Sequence, residues 1–386
     1  MARVRRSILL YLGILALVHF YVGWRLLPDL PISFGAQIAG ALVLVASFAS
    51  APLSFFTRNM ASRLWGDRLA AVCLFLVGFF SSLFVLTLLR DVALLVAVLW
   101  PAPLPLARIL PITAALVVVL ASLATLVGLL NARRRARVVD VEVRLPNLPS
   151  SLHGFTIAQI SDVHVGPTIK RHYVEAIVEA VNSLKVDVIA LTGDLVDGSV
   201  KDLASHTAPF ARLSARHGAF FVTGNHEYYS GEPAWTAEFK RLGMRVLMNE
   251  HVVLSHEGSQ VVLAGVADFG AHHFDPRQRS DPQRAIQDAP VGAGARILLA
   301  HQPRSAPAAA AAGFDLQLSG HTHGGQFWPW NHFVRLQQPF TAGLHRLNDL
   351  WVYISRGTGY WGPPKRLGAP SEITRLRLLP AAHTPV

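Results

Sequence analysis

Two hydrophobic rhythms divide the chain. Before about residue 130 the apolar positions run together in long stretches; beyond it they come in short runs between polar and amphipathic segments. A bilayer core takes about 20 predominantly apolar residues in helical form. Four stretches meet that requirement: Ser7–Leu27, Gly35–Phe56, Leu69–Leu89 and about Leu106–Leu130. Val92–Trp100 is apolar but too short to span. It runs into Pro101, Pro103 and Pro105, which cannot donate backbone hydrogen bonds inside a helix. It reads as a helix extension or an interfacial turn. So few charges in four such lengths argue against buried helices of a soluble protein. Three further spans argue against a cleaved signal peptide in the first.

After residue 150 the period shortens. Thr156–Ile160, Val186–Leu191 and Ala219–Thr223 have the length and apolar content of buried strands. Between the first two, Val174, Ile177, Val178 and Val181 recur at helical spacing, which predicts a β-α-β unit. Further strands are expected at Val261–Gly265, Ile297–Ala300, Leu316–Leu318, Trp351–Ile354 and Ile373–Leu379, and the Ala306–Ala312 run is expected to be helical. The organisation that follows is an all-α multi-pass membrane domain over residues 1–131, a basic linker over 132–151 containing Pro146, Pro149, Ser150 and Ser151, and an α/β domain over 152–380.

Charge refines this picture. A net charge of +11 would suit nucleic acid, but no basic stripe interleaved with aromatic residues supports that, and no nucleic-acid partner is expected. Much of the charge flanks the apolar stretches. Arg3, Arg5 and Arg6 precede the first; Arg58, Arg63 and Arg68 lie between the second and third; Arg133, Arg134, Arg135 and Arg137 follow the fourth. Asp29 lies in the first loop, while Arg90 and Asp91 are expected to offset each other in the third. The positive-inside rule then places both termini, and with them the α/β domain, on the cytoplasmic side of a cell membrane. Cys73 is the only cysteine, so neither an intrachain disulfide nor a thiolate metal site is available.

Candidate chemistry is concentrated in the second half. Asp162-Val163-His164, Gly193-Asp194, Gly224-Asn225-His226-Glu227, His301 and Gly320-His321-Thr322-His323 follow one another, each just after an expected strand. These oxygen and nitrogen donors suit divalent metals such as Mn, Fe or Zn. Two cations about 3.5–4 Å apart can hold a phosphoryl group between them and supply a hydroxide for in-line attack, given a carboxylate that bridges them. Asp194 is the natural bridge. Asp162 and His164, two apart on an extended segment, would point to the same side. His321 and His323 share that spacing in a turn, where they could face different ions.

In these motifs the chain resembles the calcineurin-like metallophosphoesterase family, over about Phe155–Leu379. The resemblance implies a two-sheet sandwich flanked by helices. It also implies two divalent ions, one held by Asp162, His164, Asp194 and His323 and the other by Asp194, Asn225, His301 and His321. His226 matches the family histidine that protonates the leaving oxygen or orients the nucleophile. Phosphoprotein phosphatases usually carry Arg-Gly after the second Asp of their Gly-Asp motif, whereas Gly198-Ser199 follows Asp197 here. The segments Gly320–Gln326 and Arg356–Glu372 look more like bacterial membrane-associated members, some of which cleave the pyrophosphate of UDP-diacylglucosamine. The resemblance thus implies hydrolysis of a phosphoester or pyrophosphate on a membrane-associated, lipid-linked substrate. A tethered phosphodiesterase with a soluble substrate and an inactive scaffold or sensor are the alternatives. Asp197 is either functional or a helix cap. Phe327, Trp328, Trp330 and Phe333 form core or an apolar lip, with core favoured. Arg356, Lys365 and Arg366 are surface residues or phosphate ligands, and His272 and His273 belong to a surface loop.

Overall fold

The computed structural model of the protein describes residues 2–57, 60, 62–99 and 105–381. Arg58 of the basic loop and Trp100, Pro101 and Pro103 of the proline-rich turn lie outside the described residues. The chain forms two units, one comprising residues up to Leu130 with Gly362–Lys365, the other Asn131–Trp361 with Arg366 onward.

The first unit is built from helices α1 (Ala2–Leu26), α2 (Phe34–Phe56), α3 (Arg63–Leu99) and α4 (Leu106–Arg133). All four are long and apolar enough to cross a membrane. The third expected span and the short apolar run after it are one helix of 37 residues. At 1.5 Å per residue it is about 55 Å long, well beyond the roughly 30 Å hydrocarbon core. Arg90 and Asp91 do not chiefly offset each other, because consecutive helical side chains diverge. Buried Arg90 pairs with Asp29 and donates to Thr113 Oγ1 (2.9 Å) and to the carbonyls of Arg25 (2.9 Å) and Leu110 (3.1 Å). Asp91 accepts from Arg25 at 2.7 and 2.8 Å and from the Tyr21 hydroxyl at 2.7 Å. These bonds tie α1 and α4 to α3.

The second unit contains β1 (Arg137–Leu145), β2 (Thr156–Ile160), β3 (Val188–Leu191), β4 (Ala219–Phe221), β5 (Arg245–Val246), β6 (Glu250–His256), β7 (Ser259–Gly265), β8 (Ala295–Leu299), β9 (Leu316–Ser319), β10 (Gly343–Leu347), β11 (Leu350–Ile354) and β12 (Glu372–Pro380). They make two mixed sheets, ordered β1-β12-β2-β3-β4-β5 and β10-β11-β9-β8-β7-β6. Ile157, Val188 and Phe220 of the first sheet share one core with Leu263, Ile297 and Leu316 of the second. On the outer face of the first sheet, helix α5 (Arg171–Ser183) buries the expected Val174, Ile177, Val178 and Val181. On the second, the Ala306–Ala311 helix buries Ala306 and Ala309 beside Leu298 and Val352. The result is a sandwich with helices on both sides.

One expectation is overturned. The stretch 132–151 is not a plain linker, since β1 pairs with β12 in parallel from Arg137↔Glu372 to Leu145↔Pro380. Val143 and Leu145 enter the core between the sheets. The prolines and serines that suggested a linker follow this strand, and within it Arg144 and Glu142 face solvent and bond each other at 3.0 Å, as suits an edge. Removing β1 strips a full ladder from β12 and uncovers the core. A catalytic unit begun at Asn131 should therefore melt cooperatively, and one begun at Leu152 should melt at a clearly lower temperature. Equal melting temperatures by circular dichroism would show that β1 is dispensable.

Candidate metal centre

Parallel pairing among β2, β3 and β4 brings their carboxyl ends to one edge, and β7, β8, β9 and β11 do the same in the other sheet. Loops leaving those ends carry every candidate ligand. Asp162 and His164 follow β2, Asp194 follows β3, and Asn225 and His226 follow β4. His301 follows β8, and His321 and His323 follow β9. Gln159, buried on β2, links the two edges by donating to Thr192 Oγ1 (2.8 Å) and to the Ser319 carbonyl (2.9 Å).

The backbone at these ends is not extended. Asp162, His164, Asp194, His321 and His323 have φ of 55°, 55°, 54°, 70° and 52°. This left-handed region is unfavourable for residues with a Cβ and persists only where surrounding structure dictates it. The extended segment expected at Asp162–His164 is thus replaced by a tight irregular turn. Two glycines make the close approach possible. A Cβ on Gly224 would stand 2.2 Å from Asp194 Oδ1, and one on Gly320 would stand 2.2 Å from Asp162 Oδ2.

Two groupings of ligand atoms result. Asp162, His164 and His323 form one, with His323 Nε2 3.0 Å from His164 Nε2 and 3.5 Å from Asp162 Oδ1. Asp194, His301 and His321 form the other, with His301 Nε2 3.1 Å from Asp194 Oδ2 and 3.2 Å from His321 Nδ1. Asp194 Oδ2 also lies 4.0 Å from His164 Nε2, so this carboxylate stands between the groupings. His321 and His323, two apart, serve different groupings. His226 is within ligand distance of Asp194 and His164 as well.

The donor chemistry fits cations. His301 donates from Nδ1 to the Thr192 carbonyl (2.7 Å), which turns Nε2 toward Asp194 and His321. His164 Nδ1 is likewise committed to Asp197 Oδ1 at 3.1 Å. Asn225 Oδ1 is buried with no hydrogen-bond partner. Buried acceptors without donors are costly, and a divalent ion satisfies them. Divalent metal binding is the arrangement's evident use.

Three residues that motif reading left open or passed over hold the centre. Asp197 Oδ1 accepts from both His164 and His226, the latter at 2.5 Å. Buried Glu227 accepts from the backbone N–H of Asp194 (2.9 Å), Leu195 (2.7 Å) and Gly224 (2.7 Å), pinning the β3 turn to the β4 turn. Arg366 is buried rather than surface-exposed, and donates to the carbonyls of His323 (2.9 Å), Arg356 (2.8 Å) and Gly359 (3.1 Å). Arg356 pairs with Glu372 at 2.9 Å. Arg366 is thereby committed within the protein, while Arg356 is anchored through Nη1. The favoured core reading of Trp328, Trp330 and Phe333 also fails, because all three are exposed while Phe327 is buried.

Electrostatics follow from this crowding. Burial disfavours the Asp194 carboxylate, yet the imidazoles of His301 and His226 hold its carboxyl well below the usual range. Burial likewise opposes protonation of His226, but the carboxylates of Asp194 and Asp197 push it up to about 9. Burial and the Asp194 charge push Glu227 up to about 8.

Comparison with known proteins agrees with the geometry. The calcineurin-like phosphoesterase profile matches residues 155–325. A bovine transmembrane protein with a metallophosphoesterase domain is 40% identical over 70% of this chain and 63% of its own length. A Helicobacter pylori metallophosphoesterase is 37% identical over 66% of each chain, and one from Aquifex aeolicus is 33% identical over 61% of this chain and 89% of its own. The chain spans somewhat under two thirds of the bovine relative. With four apolar helices and relatives named as transmembrane proteins, it is membrane-associated.

Asp194→Asn should remove the carboxylate between the groupings and lower bound divalent metal per chain, measured by plasma mass spectrometry after dialysis. His226→Ala should retain the metal. Equal losses would make His226 a ligand.

Proposed function

Because the chain belongs to the calcineurin-like phosphoesterase family, we propose that it hydrolyses a phosphoester or pyrophosphate bond with two divalent metal ions, Mn, Fe or Zn. The observation that carries this reading is the convergence of imidazole nitrogens and carboxylate oxygens within ligand distance of one another, with Asn225 Oδ1, in the segment that follows β4, buried and unpartnered. Asp162, His164, Asp194 and His323 would hold one ion; Asp194, Asn225, His301 and His321 would hold the other. Bound there, the ions would polarise the phosphoryl oxygens and lower the pKa of water.

The chain's own residues do the rest. Asp197 fixes the His226 ring through Nδ1, leaving Nε2 to give a proton to the departing oxygen. Glu227 holds the Asp194 turn so that the carboxylate keeps its place between the two groupings. The complete ligand set, together with His226, favours an enzyme over a membrane scaffold or sensor.

The substrate we propose is lipid-linked, of the kind represented by UDP-2,3-diacylglucosamine, and met at the bilayer surface. Four apolar helices exceed what anchoring requires, since one transmembrane helix already holds a protein effectively irreversibly. A tethered phosphodiesterase acting on a soluble substrate is the second reading. The arginines flanking the apolar helices support, by the positive-inside rule, a catalytic unit on the cytoplasmic side of a cell membrane.

Two outcomes are expected. In liposomes with Mn²⁺, the full chain should hydrolyse a lipid-linked pyrophosphate in preference to a water-soluble diester, and chelation should abolish both activities. His226→Ala should lower kcat by about 10²–10⁴-fold. Activity that survives chelation would overturn the metal reading, and equal rates on the two substrates would favour the tethered diesterase. Separately, a reporter fused after Val386 should score as cytoplasmic; an external signal would invert the topology.

A further inference from the structure

Beyond His323 the chain carries a row of exposed apolar side chains outside the ligand groupings. Trp330–His332 and Val334–Leu336 are consecutive 3₁₀ turns with Phe333 between them. The Phe333 N–H donates to the Trp330 carbonyl (3.0 Å), and the Leu336 N–H donates to that of Phe333 (3.1 Å). Three residues complete one 3₁₀ turn, so side chains at that spacing eclipse one another. Trp330, Phe333 and Leu336 therefore share one side of the segment, and exposure rises along it from 40% through 53% to 82%. The Trp330 and Phe333 rings lie with centroids 5.9 Å apart. Contiguous apolar surface of this kind marks a place of interaction.

The root of the segment leads to the apolar helices. Trp328 donates its N–H to the Leu367 carbonyl (3.0 Å), while buried Gln326 accepts from the Trp361 N–H (2.9 Å) and donates to its carbonyl (2.8 Å). Between Trp361 and Leu367, residues Gly362–Lys365 group with the helices rather than with the sheets. Lys365 is buried there, donating to the Gly78 carbonyl of α3 (3.2 Å) and to the Ser82 hydroxyl. Glycines leave the room: a Cβ on Gly128 of α4 would stand 2.5 Å from Lys365 Cγ, and one on Gly78 would stand 3.0 Å from Pro363 Cβ. Chain continuity thus holds Gln326 and Trp328 within a few residues of helices long and apolar enough to cross a membrane. A second tether is equally short. Only residues 134–136 separate α4 from β1, a reach of about 14 Å at most.

We infer that Trp330, Phe333 and Leu336 dip into the headgroup layer of the bilayer, an interfacial contact of the catalytic unit separate from its membrane-spanning helices. Trp, Phe and Leu on one side of a short helical segment are the side chains that such a layer takes up. Tryptophan in particular is favoured there, where its ring meets acyl carbon and its N–H stays wet. Arg335 is exposed beside them, and its charge suits anionic headgroups. A protein partner would have to displace a bilayer that both short connections keep within reach.

The test uses the full chain in a Cys73→Ala background, because Cys73 is the only cysteine. Leu336→Cys carrying an environment-sensitive dye is reconstituted in phosphatidylcholine–phosphatidylglycerol liposomes, with and without lipids that bear a nitroxide at headgroup depth. Emission should shift to the blue and be quenched severalfold by the nitroxide lipid, and Phe333→Cys should behave alike. Asp349→Cys is the control, since Asp349 is exposed just before β11, at the end of the sheet opposite the metal-ligand loops. Its dye should emit as in water and escape quenching. Water-like, unquenched emission from both apolar positions overturns the inference, as does equal quenching at Asp349→Cys. A blue shift without quenching by lipid also overturns it, because a protein such as a second copy then covers the segment. The dye reports depth rather than turnover, so each result stands apart from the chemistry proposed for the metal centre.

Discussion

Buried ring nitrogens and carboxylates stand within hydrogen-bond distance of one another, and the catalytic unit is organised around keeping them there. His164 and His323 present ring nitrogens 3.0 Å apart, and His301 and His321 do so at 3.2 Å, with carboxylates of Asp162 and Asp194 among them. Such a cluster collapses or recruits protons unless two conditions hold. A cation must be able to enter, and the backbone must be unable to relax. Five of the candidate ligands adopt left-handed backbone, each a state costing on the order of 1–3 kcal/mol. That cost is offset by bonds which the cluster does not itself make. Three backbone N–H groups converge on Glu227, and Arg366 gathers carbonyls around the His323 turn.

Both sheets must be present for the centre to exist. The first supplies Asp162, His164, Asp194, Asn225 and His226, while the second supplies His301, His321 and His323. The core between the sheets therefore sets the spacing of the groupings. Gln159 bonds one edge to the other. Packing and chemistry are coupled here through this buried amide and through His301 and His321, which bond the Thr192 carbonyl and the Asp162 carboxylate of the other sheet.

Much of this was legible from residue order. The β-α-β unit was visible in the spacing of Val174, Ile177, Val178 and Val181, because helical burial repeats every three to four residues. The eight candidate ligand and catalytic residues stood out because each follows an apolar run. β1 was missed although Val139, Val141, Val143 and Leu145 alternate with Asp140, Glu142 and Arg144. An edge strand can carry charge on its wet face, and the prolines and serines that follow it gave the stretch the look of a linker. The positioning roles of Glu227, quoted only as part of its motif, and of Arg366, read as a surface residue or phosphate ligand, were missed for a different reason. Glu227 also reaches Asp194 and Leu195, more than thirty residues away, and Arg366 reaches His323, contacts that no local pattern announces. Asp197 was ambiguous because a carboxylate in a turn has cheap local partners, and only the fold brings His164 and His226 to the same oxygen.

The membrane unit is subject to the same rule of satisfied polarity, in a solvent that enforces it harder. A hydrophobic anchor needs only apolar length, and charged side chains inside it are a cost. Here Arg25, Asp29, Arg90 and Asp91 are nevertheless placed so that each finds an opposite charge on another element. Arg90 also reaches a hydroxyl and two carbonyls, so the donors of a buried guanidinium are spent on α1 and α4. Apolar packing between helices in lipid discriminates weakly among rotations, whereas a guanidinium that must meet these acceptors permits very few. The network therefore fixes which faces of α1, α3 and α4 meet. A bundle whose helices are specified in this way has defined packing rather than apolar length alone.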